Sequence, residues 1–490
     1  MDTVAKLRDN FEEMALYKDL KESAFFSSLG LPSFMRDWLL QRFEDSEGNF
    51  DKEEFREFVR THVPRRSDWE ALKAQVVLEN KEVRFLTKIE TNIDINRGQV
   101  NFALPEFGLG FRETLIEQYV WDEVAHDLTK EGGAWGIVEL GYQPAQDRDP
   151  GKILLRSFKN FCPYRVELDY FQEAREDFSL EEWVDILLGA IDYNPEGYLN
   201  LEEKLTMLTR LLPFVEKRLN LIELAPKGTG KSYLFGQISR FGWLSSGGKM
   251  TRAKMFYDMN TKREGLISGH DFVVLDEVQT IAFSDVDEMR AALKGYMESG
   301  QFTVGNYHGR SEAGVVLCGN LRKEIMDQDG QANMFQEVPP IFQESALIER
   351  FHGFIKGWNI PRIRENIKVS GWALNSEYFC SIMHELRSDT AYRAVVDEIL
   401  EVPAAADTRD TEAIKRIATA YLKLLFPHVR RANQVPGELF RHYCLERAME
   451  MRQTIVTQLG LLDNEYRGKQ VPALELKPQF RSSKELISNF

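Results

Sequence analysis

Apolar residues at the start of the chain recur at helical spacing: Val4, Leu7, Phe11 and Met14 fall on one face, and Met35, Trp38, Leu39 and Phe43 on another. A polar run at 44–49 interrupts this pattern and residues 50–62 resume it, so 1–75 reads as a helical region. From 76 to 175 the period shortens to two. Segments 83–89, 99–104, 133–142 and 152–158 are strand-like, separated by Asn, Gly and Pro turns, with one helix inserted at 113–128. This predicts a small β-rich domain, for which an OB-like barrel is the candidate form. The pattern then changes again. Residues 220–224, 272–275 and 315–319 are short apolar runs of the kind that form parallel strands buried on both faces, and they mark an α/β core over 176–363. Residues 464–490 form a mostly polar tail containing Pro472 and Pro478, expected to be extended or docked on a neighbour. The whole reads as a multidomain α/β protein.

Length and charge narrow the class only partly. The 490 residues suit about three domains. A net charge of −15 argues against a generally basic nucleic-acid coat but leaves room for a basic channel. Cys162, Cys318, Cys380 and Cys444 are widely spaced and read as free thiols of a reducing compartment. No apolar run has membrane-spanning length and no basic-then-apolar leader opens the chain, so a soluble cytoplasmic protein without a membrane partner is expected.

The chemistry concentrates after the run at 220–224. Ala225, Pro226, Lys227, Gly228, Thr229, Gly230, Lys231 and Ser232 read as a phosphate-binding P-loop between a strand and a helix that continues through Tyr233. Loop amides and the helix N-terminus would surround the phosphates of ATP, Lys231 would reach the β and γ phosphates, and Ser232 would ligate Mg²⁺. Ala225 replaces the opening glycine of the motif, at a cost of about 1 kcal/mol if that position requires positive φ. Asp276 and Glu277 end the second apolar run, where Asp276 would hold the Mg²⁺ shell and Glu277 would polarise the attacking water. Asn320 ends the third, where it can orient that water. Residues 192–203 place Asp, Asn, Glu, Gly and Glu at calcium-loop positions, but Pro195 and the absence of a partner hand favour a turn followed by a capped helix at 201–212.

Two further stretches carry basic and aromatic side chains suited to a nucleic-acid backbone: 246–254, with Lys249, Arg252 and Lys254, and an expected hairpin at 300–314, with Tyr307, His308 and Arg310. Ordinary surface loops are the alternative reading.

The runs LLPFVEKRLNLIELAPKGTGKSYLF, SSGGKMTRAKMFYD, FVVLDEV, VLCGN and ERFHGFIKGW, with GGAWGIVEL upstream and YLKLLFP downstream, together resemble the BrxL family, Lon-like AAA+ ATPases of BREX phage-defence systems. That resemblance covers most of the chain. It implies an AAA+ P-loop ATPase core at 176–363 with a helical lid at 364–463, in a hexameric ring, single or paired, related to MCM-type helicases and enclosing double-stranded DNA. It also implies other phage-defence components as partners. Arg350 matches the arginine-finger position, which acts on a neighbour's γ-phosphate; a plain salt bridge is the alternative role. Arg409, and after it Arg416, match a sensor arginine of the lid, although both also suit a solvent-facing helix. Full-length family members continue into a Lon-protease-like domain, for which the 27 residues after Asp463 leave no room, and that domain is expected to be lacking here. A remodeller that threads polypeptide, or an ATP-assembled DNA clamp, are the competing functional readings.

Overall fold

The computed structural model describes residues 2–19, 35–37, 39, 43, 52–128, 134–145, 150–160 and 166–481. The expected polar break at 44–49, Trp38, Cys162 and the tail beyond Arg481 lie outside these. The described residues form two compact units. One comprises 39, 43 and the described part of 52–160; the other comprises 2–19, 35–37 and 166–481.

The first unit is a closed barrel of five strands: β1 (Val83–Asp94), β2 (Gln99–Ala103), β3 (Thr114–Ile116), β4 (Ala134–Gln143) and β5 (Lys152–Asn160). Their order around the barrel is β1-β2-β3-β5-β4, with β3 and β5 parallel and every other pair antiparallel. Helix α1 (Gln118–Leu128) connects β3 to β4. The alternation seen in sequence is the barrel wall: Phe85, Ile89, Phe102, Ile116, Val138, Leu140 and Leu155 are buried in one cluster. Closure leaves no unpaired sheet edge.

The second unit is built on a five-stranded parallel sheet: β6 (Leu221–Ala225), β7 (Gly242–Met250), β8 (Phe272–Phe283), β11 (Gly314–Asn320) and β12 (Gly353–Lys356), in the order β12-β6-β11-β8-β7. The P-loop strand β6 therefore lies between β12 and β11, and β11 separates it from β8. Between β8 and β11 the chain forms α3 (Val286–Ser299) and the antiparallel pair β9 (Gln301–Val304) and β10 (Tyr307–Arg310), the hairpin expected at 300–314. Helix α2 (Lys231–Gln237) comes directly after β6. Every residue of β6 is buried, as are Phe272 to Asp276 of β8 and Gly314 to Gly319 of β11, because helices cover both faces. Met289, Leu293 and Tyr296 of α3 pack on Val273, Leu275, Val315 and Leu317. Cys318, Cys380 and Cys444 are buried free thiols.

Beyond the sheet come helices at Ser376–Ser388 and Ala391–Ile399, then α4 (Thr408–Leu425) and α5 (Arg447–Leu462). Ile455 and Leu459 of α5 join the core under the sheet. Two segments depart from the sequence reading. Within the expected helical region, Thr3–Phe11 is a helix but Ala15–Asp19 is a strand paired antiparallel with Ser370–Leu374. Five residues are too few for a period of two to show, and the partner is some 350 residues away. The tail, expected extended or on a neighbour, docks on its own chain: Glu475–Leu476 pairs with Leu400–Glu401, and Leu474 and Leu476 are buried. Among the described residues no helix is long and apolar enough to cross a membrane.

Candidate nucleotide site

The turn from β6 into α2 needs left-handed backbone at two places, and both are glycine: φ is +82° at Gly228 and +81° at Gly230. Ala225 needs none. It is the last residue of β6, in register with Asn320, so its replacement of the motif's first glycine carries no conformational cost here. Lys227, Gly228 and Ser232 are exposed on the outer side of the loop, and Lys231 is buried with its Nζ 3.4 Å from the Pro226 carbonyl oxygen.

The carboxylates arrive from β8. The Ser232 hydroxyl donates to Asp276 Oδ2 at 2.6 Å, and Asp276 Oδ1 accepts from the Glu277 amide at 2.9 Å. Asp276 is buried and Glu277 is exposed, because the chain turns between them: Glu277 has φ +48°, a left-handed conformation rarely held by a non-glycine residue. Strain of this kind persists only where surrounding structure enforces it, and here it frees the Glu277 side chain from the buried strand. Asn320 ends β11 beside Ala225, and Gln279 fixes its backbone: Gln279 Nε2 donates to the Asn320 carbonyl at 2.7 Å. Gln279 carries no sequence signal, since nothing in a lone glutamine after Asp-Glu-Val marks it.

Lys231, Ser232, Asp276, Glu277 and Asn320 thus meet at the C-terminal ends of three neighbouring strands, where open α/β sheets bind ligands. Ser232 and Asp276 are hard oxygen donors already in contact. Among the described residues no three His, Cys, Asp or Glu side chains gather as a metal cluster. The Ser232–Asp276 oxygen pair suits Mg²⁺, which takes one or two protein oxygens and completes its shell with phosphate and water.

Other expected ligands point elsewhere. Thr229 is buried and turned inward, and Tyr233 donates its hydroxyl to Asp192 Oδ2 at 2.6 Å, so neither side chain faces the loop's outer surface. Asp192 itself accepts from Lys18 at 3.0 Å and Arg36 at 2.8 Å, which commits the first calcium-loop carboxylate to cations of its own chain. The helix after it, Leu201–Leu208, is capped by Asn200.

The three candidate arginines sit at the opposite edge of the sheet. His352 donates its amide to the Asn220 carbonyl at 2.8 Å, which places Arg350 at the start of β6, about 15 Å from the loop at the other end of that five-residue strand. Arg350 Nε donates to the Lys294 carbonyl at 3.1 Å and its Nη2 pairs with Glu298 at 3.0 Å. Arg409 pairs with Glu349 and, at 3.4 Å, with the same Glu298. Arg416 donates to the Lys217 carbonyl at 2.8 Å. None of the three side chains is bonded to this chain's own P-loop. Residue spacing does not mark Arg452, which is buried and donates to the Glu349 and Phe351 carbonyls on either side of Arg350.

The basic stretches are also rearranged. Lys249 lies at the end of β7, in register with Ala282 past a bulge, and Arg252 is held by Glu288 at 2.7 Å in a helical turn that also carries exposed Lys254. The chain then enters a hairpin that its sequence does not reveal: Tyr257–Asp258 pairs with Arg263–Glu264, with Lys262 exposed in the turn. Tyr257 stacks on Tyr307 of the β9-β10 hairpin at 3.7 Å and 5°, joining the two, and His308 and Arg310 are exposed on the latter.

Comparison with known proteins fits this geometry. Residues 153–471 match the family described as Lon-like protease BrxL-like, ATPase domain, and residues 9–142 match BREX system Lon protease-like protein BrxL N-terminal. The chain belongs to the BrxL family. It is 26% identical over 453 residues to the Lon-like protease BrxL of Escherichia coli O9:H4 (strain HS), covering 91% of this chain and 62% of that protein. A Lon-like protease BrxL of Bacillus cereus (strain H3081.97) is likewise 26% identical over 455 residues, covering 91% of this chain and 66% of that protein. The chain thus spans just under two thirds of the length of each. A shorter match, 26% over 174 residues and 30% of this chain, is to the uncharacterized protein ORF426 of Acidianus filamentous virus 1, of which it covers 40%. An ATPase domain of this family implies nucleotide use, and the fit of Lys231, Ser232 and Asp276 to phosphate and Mg²⁺ is the local counterpart.

Proposed function

We propose that this chain is a Mg²⁺-dependent ATPase of AAA+ type that works as a ring on double-stranded DNA in BREX-type phage defence. In this reading 364–463 is the helical lid and the barrel is OB-like. The observation that carries the proposal is the split of the site. Lys231, Ser232, Asp276, Glu277 and Asn320 lie at one edge of the sheet, and Arg350 and Arg409 share Glu298 at the other. None of the three candidate arginines is bonded at this chain's own P-loop, and a second copy presenting its opposite edge would supply one to the γ-phosphate of a bound nucleotide. A hexamer closes this head-to-tail arrangement.

The reaction is ATP + H₂O → ADP + phosphate. Mg²⁺, when bound, would supply positive charge that offsets the charge of the phosphates. Ser232 and Asp276 hold that ion, Lys231 and the loop amides hold the β and γ phosphates, Glu277 takes a proton from water, and Asn320 aims it. Lys249, Lys254, Lys262, His308 and Arg310 form the DNA-facing set, and other defence-system proteins are the partners in the cytoplasm. One observation favours a second reading. The Tyr257/Tyr307 stack, with Met259 packed against Gly305, puts aromatic and apolar groups at the joined hairpins, as a polypeptide-threading loop would. The ATPase rate with added duplex DNA, single-stranded DNA or unfolded protein separates the readings. Stimulation by duplex supports the proposal, whereas stimulation by unfolded protein alone replaces it with the remodeller.

A further inference from the structure

Beneath the P-loop lies a fully buried cation that the sequence motif does not contain. Arg210 has no solvent exposure, and neither does Glu223, the middle residue of β6. Arg210 Nε donates to Glu223 Oε2 at 2.9 Å, and Nη2 donates to Glu223 Oε1. The remaining bonds go to the loop: Nη1 donates to the Thr229 carbonyl at 2.6 Å and to Met207 Sδ at 3.2 Å, and Nη2 donates to Thr229 Oγ1 at 3.0 Å. All five N–H groups of the guanidinium are thereby engaged.

Stability alone is a weak reason for this arrangement. A buried ion pair roughly breaks even against apolar residues of the same volume, because desolvation offsets the attraction. What apolar residues cannot do is fix a peptide plane. In a trans peptide the carbonyl and the following N–H point in opposite directions. Holding the Thr229 carbonyl down onto Arg210 therefore turns the Gly230 N–H to the outer side, where Lys227, Gly228 and Ser232 are exposed. Gly230 itself sits at φ +81°, and a Cβ there would run into the Tyr193 hydroxyl, so the position requires glycine.

We propose that Arg210 is a positioning residue for nucleotide binding: anchored on Glu223, it holds the 229–230 peptide so that the Gly230 amide faces the phosphates. The inference rests on reading the loop as the ATP site. Glu223 serves to keep the guanidinium in register with the strand, and Thr229, at a position where the motif accepts many residues, supplies both acceptors.

The test measures MgATP binding by calorimetry and steady-state ATP hydrolysis on the full chain. Arg210→Met/Glu223→Met removes both buried charges together, so the fold is expected to survive with a melting temperature near that of the wild type. Its MgATP dissociation constant should rise about 10- to 100-fold, the worth of one amide bond to a charged phosphate, and KM should rise more than kcat falls. Arg210→Lys keeps the charge for Glu223 but cannot reach both Thr229 acceptors with the same geometry, and should weaken binding at least tenfold. If the double variant does not fold, Arg210→Lys decides. MgATP affinity equal to wild type in a folded Arg210→Met/Glu223→Met, or in Arg210→Lys, overturns the inference. Failure of the wild type to bind MgATP, with Lys231→Ala no different, overturns instead the ATP reading beneath it.

Discussion

The P-loop helix is tied to distant parts of the chain through one carboxylate, and removing it should be costly. Asp192 is buried and accepts from Lys18 Nζ at 3.0 Å, from Arg36 Nη2 at 2.8 Å and from the Tyr233 hydroxyl at 2.6 Å. Asp37, also buried, is the only other carboxylate ion-paired with both cations among the described residues, at 3.3 Å from Lys18 and 2.6 Å from Arg36. Asp192→Asn leaves two buried cations facing one carboxylate. Breaking a buried pair in this way costs about 3–5 kcal/mol, which at about 2–4 °C per kcal/mol lowers the melting transition by roughly 6–20 °C. Tyr233→Phe removes a single hydrogen bond to the same charge and should cost about 1.5–3 kcal/mol. The pH dependence comes from the same contacts. Burial alone would push the Asp192 carboxyl up, but Arg36, Lys18 and Tyr233 more than reverse this and hold it well below the usual range. A depressed carboxylate contributes fully above the unfolded value of about 3.9 and loses that contribution as pH falls toward the folded value. Wild type should therefore lose stability below about pH 4 more steeply than Asp192→Asn. Differential scanning calorimetry at pH 7 and over an acid series measures both effects. A shift under about 2 °C for Asp192→Asn at pH 7 would show that the cluster does not hold the helix.

The site itself sets further expected outcomes. Glu277→Gln should bind MgATP as wild type does but hydrolyse it at least ~100-fold more slowly, since only water activation is lost; equal turnover in a single-turnover assay would remove Glu277 from that role. For the DNA-facing set, Lys262→Ala/Arg310→Ala should lower affinity about equally for unrelated duplexes and flatten the salt dependence, because phosphate contacts carry no base information. Lys249→Ala/Arg252→Ala should do less, since Arg252 is already paired with Glu288 at 2.7 Å. Fluorescence anisotropy across a salt series reads both, and unchanged slopes in both variants would take the hairpins out of the DNA path.

The features legible in the chain are those that short-range chemistry dictates. A loop that must present amides to phosphate needs Gly228 and Gly230 next to Lys231 and Ser232, and a buried strand that must end in carboxylates shows Phe272 to Leu275 running into Asp276 and Glu277. The hairpin at 300–314 is visible for the same reason. The features that are not legible depend on partners far apart in sequence. Arg210 reads as one more charge on a helix until its bonds to Glu223 and Thr229 are seen. Asp192 reads as a turn residue, or a calcium ligand, until Lys18 and Arg36 arrive from the N-terminal segment. The Tyr257–Glu264 hairpin has two-residue strands and gives no periodicity. The side of the sheet on which Arg409 and Arg416 lie depends on how the helices after β12 fold back, which residue spacing along α4 does not encode.

That opposite-edge placement makes the central claim, a site shared between copies, directly measurable by mixing variants. Arg350→Ala retains the P-loop and Lys231→Ala retains the arginine edge, and each alone should be inactive in ATP hydrolysis. Random assembly of equal amounts should pair an intact P-loop with an intact Arg350 at about a quarter of interfaces, and steady-state hydrolysis should reappear in that mixture. Demonstrated co-assembly of the two variants with no hydrolysis at any mixing ratio would contradict the shared site.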